Sequence, residues 1–272
     1  MSEMEADDVR AVVREHYGSI ARGASTGCAP GCCSTAGTSA ATLGYTTEQT
    51  AAIPDGADLG LGCGNPTAIA SLREGETVLD LGAGGGFDCF IAARQVGPRG
   101  KVIGIDMTAD MVARARTNAR KINAINVEFR LGEIEHLPVA DTSVDAILSN
   151  CVINLSPDKP AVFREAFRVL RAGGRLAISD VVATAPIPVE LQTQAAALAG
   201  CISGAAPLDD VRAMLAAAGF VQVEVTISPR SAEIVGSWLP GIEQFVAAAT
   251  IEARKPGGDV DVAGCCAPGC CA

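Results

Sequence analysis

The feature that most constrains the fold is a regular alternation of apolar, strand-like runs with helical stretches from Thr77 onward. Runs of the buried-strand type occur at residues 77–82, 101–106, 126–131, 144–150 and 174–181. The helical stretches between them include residues 87–96, a segment with Met111, Ala115 and Ala119 on one face, and residues 159–170. Strands that alternate with helices of this length are joined by right-handed crossovers into a largely parallel sheet. The sequence therefore predicts an α/β fold with helices on both faces of a mostly parallel sheet.

The segments on either side of this alternation predict smaller structures. Before it, we expect an amphipathic helix at 6–22, loops at 23–45 and 55–66, and a short helix capped by Thr46 and Gln49. After Pro186 come helical stretches at about 188–200 and 208–218 and a strand at 221–227. We divide the chain into an N-terminal helix with Cys-bearing loops (1–69), a sheet domain (70–185), a C-terminal α+β extension (186–254) and a flexible Cys-rich tail (255–272).

Charge and hydropathy exclude several classes of function. The chain of 272 residues has 31 acidic and 21 basic residues, the opposite of the balance typical of nucleic-acid-binding proteins. Apolar residues make up 49%, enough for a core, yet no run reaches the roughly 18 consecutive apolar residues of a membrane span. The first ten residues are acidic and lack the pattern of a signal peptide. We therefore expect a cytoplasmic protein without nucleic-acid or membrane partners. The sequence carries no signal for the oligomeric state, and a monomer is the expectation.

Eleven cysteines and only two histidines make thiol chemistry the central question. Without an export signal the compartment is expected to be reducing, and the odd number of cysteines also argues against complete pairing in disulfides. The hexapeptide Cys-Ala-Pro-Gly-Cys-Cys occurs twice, at 28–33 and at 266–271. Its Pro-Gly centre favours a type II turn that brings the first cysteine toward the last two, as in a clamp for a soft ion. The repeats therefore suggest capture of an ion or donation of electrons, and incidental thiols in a flexible tail remain the alternative.

A glycine-rich loop, Asp80-Leu-Gly-Ala-Gly-Gly-Gly86, lies where the first predicted strand turns into the first helix. Glycine permits the tight turn and the close approach of a ligand at such a position. A dinucleotide fingerprint would place its third glycine at Phe87, and the acid Asp80 would repel a pyrophosphate. That acid instead suits a cofactor with an amino group. Asp106 ends the second strand, where a carboxylate can hold ribose hydroxyls, and Met107 can pack on an adenine ring.

Three cysteines stand in loops or at the ends of predicted elements, where scaffolds usually present functional groups. Cys151 directly follows the strand at 144–150, so it emerges at the sheet edge where ligands bind in α/β folds. Cys63 lies between glycines that let its loop fold closely over a site, and Cys201 ends a helical stretch. Cys89 lies inside the first crossover helix, where a small buried apolar residue or a minor role is expected.

The motif Asp-x-Gly-x-Gly-x-Gly at 80–86, with an acid after the second strand, resembles the class I S-adenosylmethionine-dependent methyltransferases. The resemblance implies a Rossmann-like fold with S-adenosyl-L-methionine as the cofactor. The predicted cofactor-binding residues are then Asp80, Gly82, Gly84, Gly86, Asp106, Met107, Glu133, Ile134 and Asn150. The resemblance places the glycines under the methionine part, Asp106 at the ribose, Glu133 and Ile134 near the adenine, and Asn150 facing the methionine part.

Segments 59–66, 149–159 and 200–205 extend the resemblance to the arsenite methyltransferases, over roughly residues 8–256. It implies that Cys63, Cys151 and Cys201 hold trivalent arsenic as the substrate, and that methylated arsenicals are formed. In that family one cysteine nearer the N-terminus takes part in thiol exchange, and either Cys32 or Cys33 fits that role. The thiols are expected to be reduced and partly ionised, so that activity depends on an external thiol reductant of the thioredoxin or glutathione type.

Two other functions fit parts of the sequence. A methyltransferase of an organic small molecule, such as a quinone or sterol, would use the glycine loop but leave the cysteines without a role. A soft-metal-binding protein would use the C-terminal thiols but not the glycine loop. The thiols that offer zinc its four ligands in that case are Cys265, Cys266, Cys270 and Cys271.

Overall fold

A seven-stranded sheet forms the centre of the computed structural model, which describes residues 6–23, 39–51, 53–189 and 200–257. The strands are β1 (Thr77–Leu81), β2 (Lys101–Asp106), β3 (Val127–Leu131), β4 (Val144–Asn150), β5 (Leu170–Ala183), β6 (Val221–Ile227) and β7 (Val246–Arg254). Their order is β3-β2-β1-β4-β5-β7-β6. Strands β1 to β5 are parallel to one another, whereas β7 runs antiparallel to both β5 and β6.

Helices precede the sheet and connect its strands. They are α1 (Ala6–Ala21), α2 (Thr47–Thr50), α3 (Pro66–Ile69), α4 (Phe87–Val96), α5 (Ala109–Lys121), α6 (Lys159–Val169), α7 (Gly200–Ser203), α8 (Leu208–Ala217) and α9 (Ser231–Gly236). The predicted cap is present, since the Thr46 hydroxyl accepts from the Gln49 amide and the Gln49 side chain accepts from the Thr46 amide. Among the described residues, no helix is long and apolar enough to cross a membrane.

Successive side chains of the central strands enter two separate cores, one on each face of the sheet. In β4, Ile147 packs into the core under α6 and α8, while Ala146 and Leu148 pack into the core under α4 and α5. Because both faces are covered, these strands are apolar almost throughout, which is why they stood out in the sequence. The predicted fold class is confirmed.

The C-terminal part of the chain differs from the prediction in one strand. β7 was not expected, because its sequence Val-Ala-Ala-Ala-Thr-Ile-Glu-Ala-Arg contains little β-branched or aromatic signal. The strand nevertheless forms between β5 and β6 and is buried over most of its length, with successive residues such as Ala247 and Ala248 packed into different cores. The sheet therefore continues across the predicted boundary at residue 185, and the division into four segments stays a prediction. Most of the predicted helix at 188–200 lies outside the described residues.

Candidate functional site

A cavity opens at the carboxyl ends of β1, β2 and β4, the edge at which ligands bind in α/β sheets. The glycine loop after β1 forms one wall, and the segments after β2 and β4 form others. Helix α1 also contributes side chains, including Arg10 and Tyr17. Of the predicted cofactor-binding residues, the following line this cavity: Asp80, Gly82, Gly84, Asp106, Met107, Ile134 and Asn150.

The three glycines of the loop that were predicted to bind the cofactor have different roles. Gly82 and Gly84 have φ angles of 68° and 51°, in the left-handed region that favours glycine. A Cβ on Gly82 would lie 2.4 Å from a Val152 methyl group, whereas one on Gly84 would point into open space. Gly86 begins α4 with φ 92° and faces the rings of Phe90 and Phe129, so it packs behind the cavity instead of lining it.

Asp106 is held in place by the glycine loop and by its own turn. One carboxylate oxygen accepts the Gly84 amide at 3.0 Å and the other accepts the Thr108 amide at 2.8 Å. Burial raises the pKa of Asp106, while these two backbone donors oppose the shift. Each oxygen keeps a further lone pair, so the carboxylate can accept a pair of hydroxyl donors from a ligand in the cavity.

Asp80 lies deeper, beneath the loop. Its side chain is buried and accepts a hydrogen bond from the Cys89 thiol, with Oδ2 and Sγ 3.1 Å apart. Burial, followed by the negative charge of Asp88, raises the pKa of Asp80 well above its usual range. A cationic amino group in the cavity would offset both effects, which makes Asp80 a suitable partner for one.

Helix α1 closes one side of the cavity through ion pairs with the segment after β3. Glu133, which the resemblance placed near an adenine, does not line the cavity; instead its carboxylate is 3.5 Å from the guanidinium groups of both Arg10 and Arg14. The buried Glu135 does line the cavity, and it accepts from the Ser156 hydroxyl at 2.6 Å. In the segment after β3, the acid that lines the cavity is thus Glu135, two residues beyond the predicted Glu133.

Cys63, Cys151 and Cys201 come together in one buried cluster beside the cavity, although they are far apart in the sequence. Their exposed fractions are only 3%, 5% and 5%. The Sγ atoms of Cys63 and Cys151 and a carboxylate oxygen of Asp180 all lie within 4.8 Å of one another. The Cys201 thiol donates to the Cys151 carbonyl oxygen at 2.8 Å, so the third sulfur adjoins the same turn.

Strand ends and close packing bring these thiols together. Cys151 leaves β4 with φ 58°, and its amide donates to the Ser179 carbonyl of β5 at 2.8 Å. The same carbonyl accepts from the Cys63 thiol at 3.3 Å. The Asp180 carboxylate fixes the turn after Cys151 by accepting from the Ile153 amide and the Asn154 side chain, each at 2.9 Å.

The glycines around Cys63 allow its loop to press on the ends of two strands. A Cβ on Gly62 would lie 2.9 Å from the Asn150 side-chain nitrogen, and one on Gly64 would lie 2.8 Å from the Ser179 hydroxyl. The predicted loop around Cys63 is therefore packed against β4 and β5 and is not freely exposed.

We expect Gly64→Ala to destabilise the fold by roughly 1–3 kcal/mol, because the new methyl group would overlap Ser179 in a packed region. Urea unfolding measures the change. Gly257→Ala is the matched control, since a Cβ there would meet no atom within 4 Å. Equal unfolding free energies for the two variants would show that the loop does not press on β5.

Burial determines the protonation state of the free thiols. It raises the pKa of Cys63 to about 11 and the pKa of Cys151 well above its ordinary value. Both groups therefore keep their protons at neutral pH, in contrast to the partly ionised thiols expected from the sequence. A ligand that bonds to these sulfurs must supply a group that accepts their protons.

Several residues of the site were not predicted. Tyr17 lines the cavity, and its pKa is raised by burial and then by the nearby Cys201 and Cys151 sulfurs. Asp88, in the first turn of α4, had a signal in the sequence, because it closely follows the glycine loop. Tyr45 and Asp180 had none, since only the fold brings them to the site. Cys32, Cys33 and both hexapeptides lie outside the described residues.

Comparison with known sequences agrees with this geometry. A family model described as a methyltransferase domain matches residues 72–219. An arsenite methyltransferase of Halobacterium salinarum is 50% identical over 272 aligned residues, which cover 95% of this chain and 70% of that protein. An arsenite methyltransferase of Homo sapiens is 41% identical over 153 residues, which cover 53% of this chain and 40% of that protein.

Comparison with solved structures also identifies methyltransferases as similar proteins. An arsenic(III) S-adenosylmethionine methyltransferase of Chlamydomonas reinhardtii superposes with a TM-score of 0.58 at 34% identity, covering 81% of this chain and 74% of that one. A Haemonchus contortus phosphoethanolamine N-methyltransferase in complex with S-adenosyl-L-methionine has a TM-score of 0.61 at 19% identity, covering 71% of this chain and 51% of that one. The second likeness bears on the fold alone.

Proposed function

The chain belongs to the arsenite methyltransferase family, and we propose that Cys63, Cys151 and Cys201 together bind its substrate, trivalent arsenic. The protein is an S-adenosylmethionine-dependent enzyme that methylates arsenite. The main support for the arsenic site is that three buried thiols lie close together beside the cavity, which Cys151 lines. Thiols select a soft, thiophilic ion over hard ions that prefer oxygen. An organic acceptor would leave this cluster without a role.

The cavity suits the second reactant, S-adenosylmethionine, which supplies an electrophilic methyl group when it is bound. In our proposal the Asp106 carboxylate accepts from the ribose hydroxyls with its free lone pairs, and Asp80 faces the amino group. Met107 and Ile134 supply apolar surface for the adenine. The open space beside Gly84 leaves room for close approach to the loop.

The proposed chemistry begins with the three thiols. Each sulfur forms a bond to arsenic, each As–OH bond of arsenite breaks, and the thiol proton leaves with the hydroxide as water. Arsenic keeps its lone pair, which three sulfurs leave directed away from themselves. Attack of that lone pair on the methyl carbon would form the As–C bond and break the methyl–sulfonium bond, which leaves a positively charged As(V) centre. Departure of two of its thiolates as a disulfide would return arsenic to As(III), and an external thiol reductant would then reduce that disulfide. No general base is needed, so the protein contributes by alignment, which is worth as much as about 7–11 kcal/mol.

We expect the binding of arsenite at neutral pH to take up little or no proton from the buffer. Cys63 and Cys151 bring their own protons because burial raises the pKa of each thiol. Ionised thiols would instead require one proton from the solvent for every hydroxide that leaves as water. Calorimetry in buffers of different ionisation enthalpy measures this uptake. An uptake of three protons per arsenic would contradict the protonated site.

The reaction also requires reduced thiols and a route for arsenic into the site. An external thiol reductant, of the thioredoxin or glutathione type, keeps the cysteines reduced. Either Cys32 or Cys33 acts as a fourth thiol in passing arsenic to the site. The enzyme works as a monomer in the cytoplasm and releases methylated arsenicals.

The test of this function is direct. The purified full-length protein is incubated with S-adenosylmethionine, arsenite and a thiol reductant, and the arsenic species are then separated and quantified. We expect more moles of methylated arsenic than of enzyme. One molecule of S-adenosylhomocysteine should form for each methyl group transferred. Turnover with a quinone acceptor but none with arsenite would overturn the proposal.

A further inference from the structure

A chain of hydrogen bonds connects the cofactor cavity to the loop of Cys63. The Tyr45 hydroxyl donates to one Asp88 oxygen at 2.6 Å. The Asn150 side-chain nitrogen is 3.1 Å from the other Asp88 oxygen, 3.0 Å from the Tyr45 hydroxyl and 2.9 Å from the Gly64 carbonyl. The Asn150 side-chain oxygen accepts from the Cys63 amide at 3.0 Å. Tyr45, Asp88 and Asn150 all line the cavity.

The Asn150 amide holds the peptide on both sides of Cys63. It accepts from the Cys63 N–H and donates to the Gly64 C=O, so the loop is paired with the end of β4 much as a neighbouring strand would be. Its oxygen is also 3.8 Å from the Cys63 sulfur. Cys151 is the next residue after Asn150. One side chain thus sets the distance between the loop of the first thiol and the strand that carries the second.

Asp88 and Tyr45 decide which way this amide points. Burial raises the pKa of Asp88 to about 6, so at neutral pH the side chain is mainly a carboxylate and only accepts hydrogen bonds. The NH2 end of Asn150 must therefore face Asp88, which leaves the oxygen for the Cys63 amide. Tyr45 uses its proton on Asp88 and so presents a lone pair to the same NH2 group.

We propose that Tyr45 and Asp88 are positioning residues for arsenic capture, because they orient the Asn150 amide that holds Cys63 beside Cys151. This inference rests on the arsenic site proposed above. Neither side chain needs to touch arsenic. Loss of the Tyr45 hydroxyl removes one acceptor of the Asn150 NH2 group and also the donor that holds the other Asp88 oxygen. Asp88 is then free to shift, the amide is held less firmly, and its bonds to the Cys63 loop weaken. Arsenic would be held by Cys151 and Cys201 with a poorly placed third thiol.

The first test is Tyr45→Phe, which keeps the ring and its edge-on contact with Phe87. We expect the dissociation constant for arsenite, measured with reduced protein in the absence of cofactor, to rise about tenfold or more. Thr50→Ala is the control, because it removes a hydroxyl that bonds only to backbone carbonyls of its own helix and turn. It should leave the constant within twofold of the unsubstituted protein.

A second measurement separates positioning from general loosening, and it needs no arsenic. Limited alkylation followed by peptide mass spectrometry reports each cysteine on its own. In Tyr45→Phe we expect Cys63 to react at least about tenfold faster, while Cys201, which is held by the Cys151 carbonyl, reacts as before. Asp88→Asn should act through the same amide, so combining the two substitutions should add little.

The outcomes are distinct. An unchanged arsenite affinity together with unchanged protection of Cys63 would overturn the positioning role. Equal acceleration at Cys63 and Cys201 would overturn it as well, since that result indicates a merely structural effect. If the unsubstituted protein binds no arsenite but Cys63 is selectively exposed in Tyr45→Phe, the proposed arsenic site is wrong. The positioning of the Cys63 loop through Asn150 is then still supported.

Discussion

Cys151→Ser is expected to lower the rate of arsenite methylation at least about a hundredfold, because misplacement of a reacting atom by even one ångström has effects of that size. Cys151 occupies the middle of the site: its Sγ lies within 4.8 Å of the Cys63 Sγ, and its carbonyl accepts from the Cys201 thiol. A serine hydroxyl is nearly the same size but is a hard ligand that binds arsenic poorly. The fold should therefore survive while the arsenic loses a bond.

The measurement is the initial rate of methylarsenic formation at saturating cofactor, with cofactor affinity determined in parallel. Cys63→Ser and Cys201→Ser should behave in the same way. Cys89→Ser is the matched control for arsenic binding, because Cys89 lies under the glycine loop, bonded to Asp80, away from the other thiols. If any two of the three cluster variants keep full activity, three thiols are not needed for the reaction.

The second large effect is expected on the cofactor side. Asp106→Ala should weaken the binding of S-adenosylmethionine at least about tenfold, the equivalent of roughly 1.4 kcal/mol, because two hydrogen bonds to an ionised acceptor are lost. The change also leaves the Gly84 and Thr108 amides without their acceptor, so the glycine loop loses a restraint.

Calorimetry with S-adenosylmethionine measures this effect, and arsenite binding in the absence of cofactor should not change. Asp110→Ala serves as the control, since Asp110 is the next acid along the chain but pairs with Arg22, the residue that follows α1. Equal cofactor affinity in Asp106→Ala and the unsubstituted protein would count against Asp106 as the ribose ligand.

Features that depend on neighbouring residues in the sequence could be predicted. The apolar runs of β1, β2 and β4 are visible because both faces of these strands are buried. The glycine loop and Asp106 follow from the turn after β1 and the end of β2. Cys151 could be placed at the ligand edge because it directly follows a strand.

Features that depend on tertiary packing could not be predicted. β7 is a strand because of its place between β5 and β6 and not because of its alanines. Cys63 was expected in a loop that folds closely over a site, but the packing of this loop against Asn150 and Ser179, and the burial that keeps its thiol protonated, depend on the fold. Asn150 was predicted to face the cofactor, but its connection to Tyr45 and Asp88 requires the fold.

The most direct test of the account is the sulfur count around bound arsenic. Arsenic X-ray absorption is measured on arsenite-loaded protein in which seven cysteines outside the described residues are serine: Cys28, Cys32, Cys33, Cys265, Cys266, Cys270 and Cys271. We expect three As–S bonds and no As–O bond, and the loss of one sulfur in Cys201→Ser. Two or fewer sulfurs with retained oxygen before that substitution would contradict the three-thiol site.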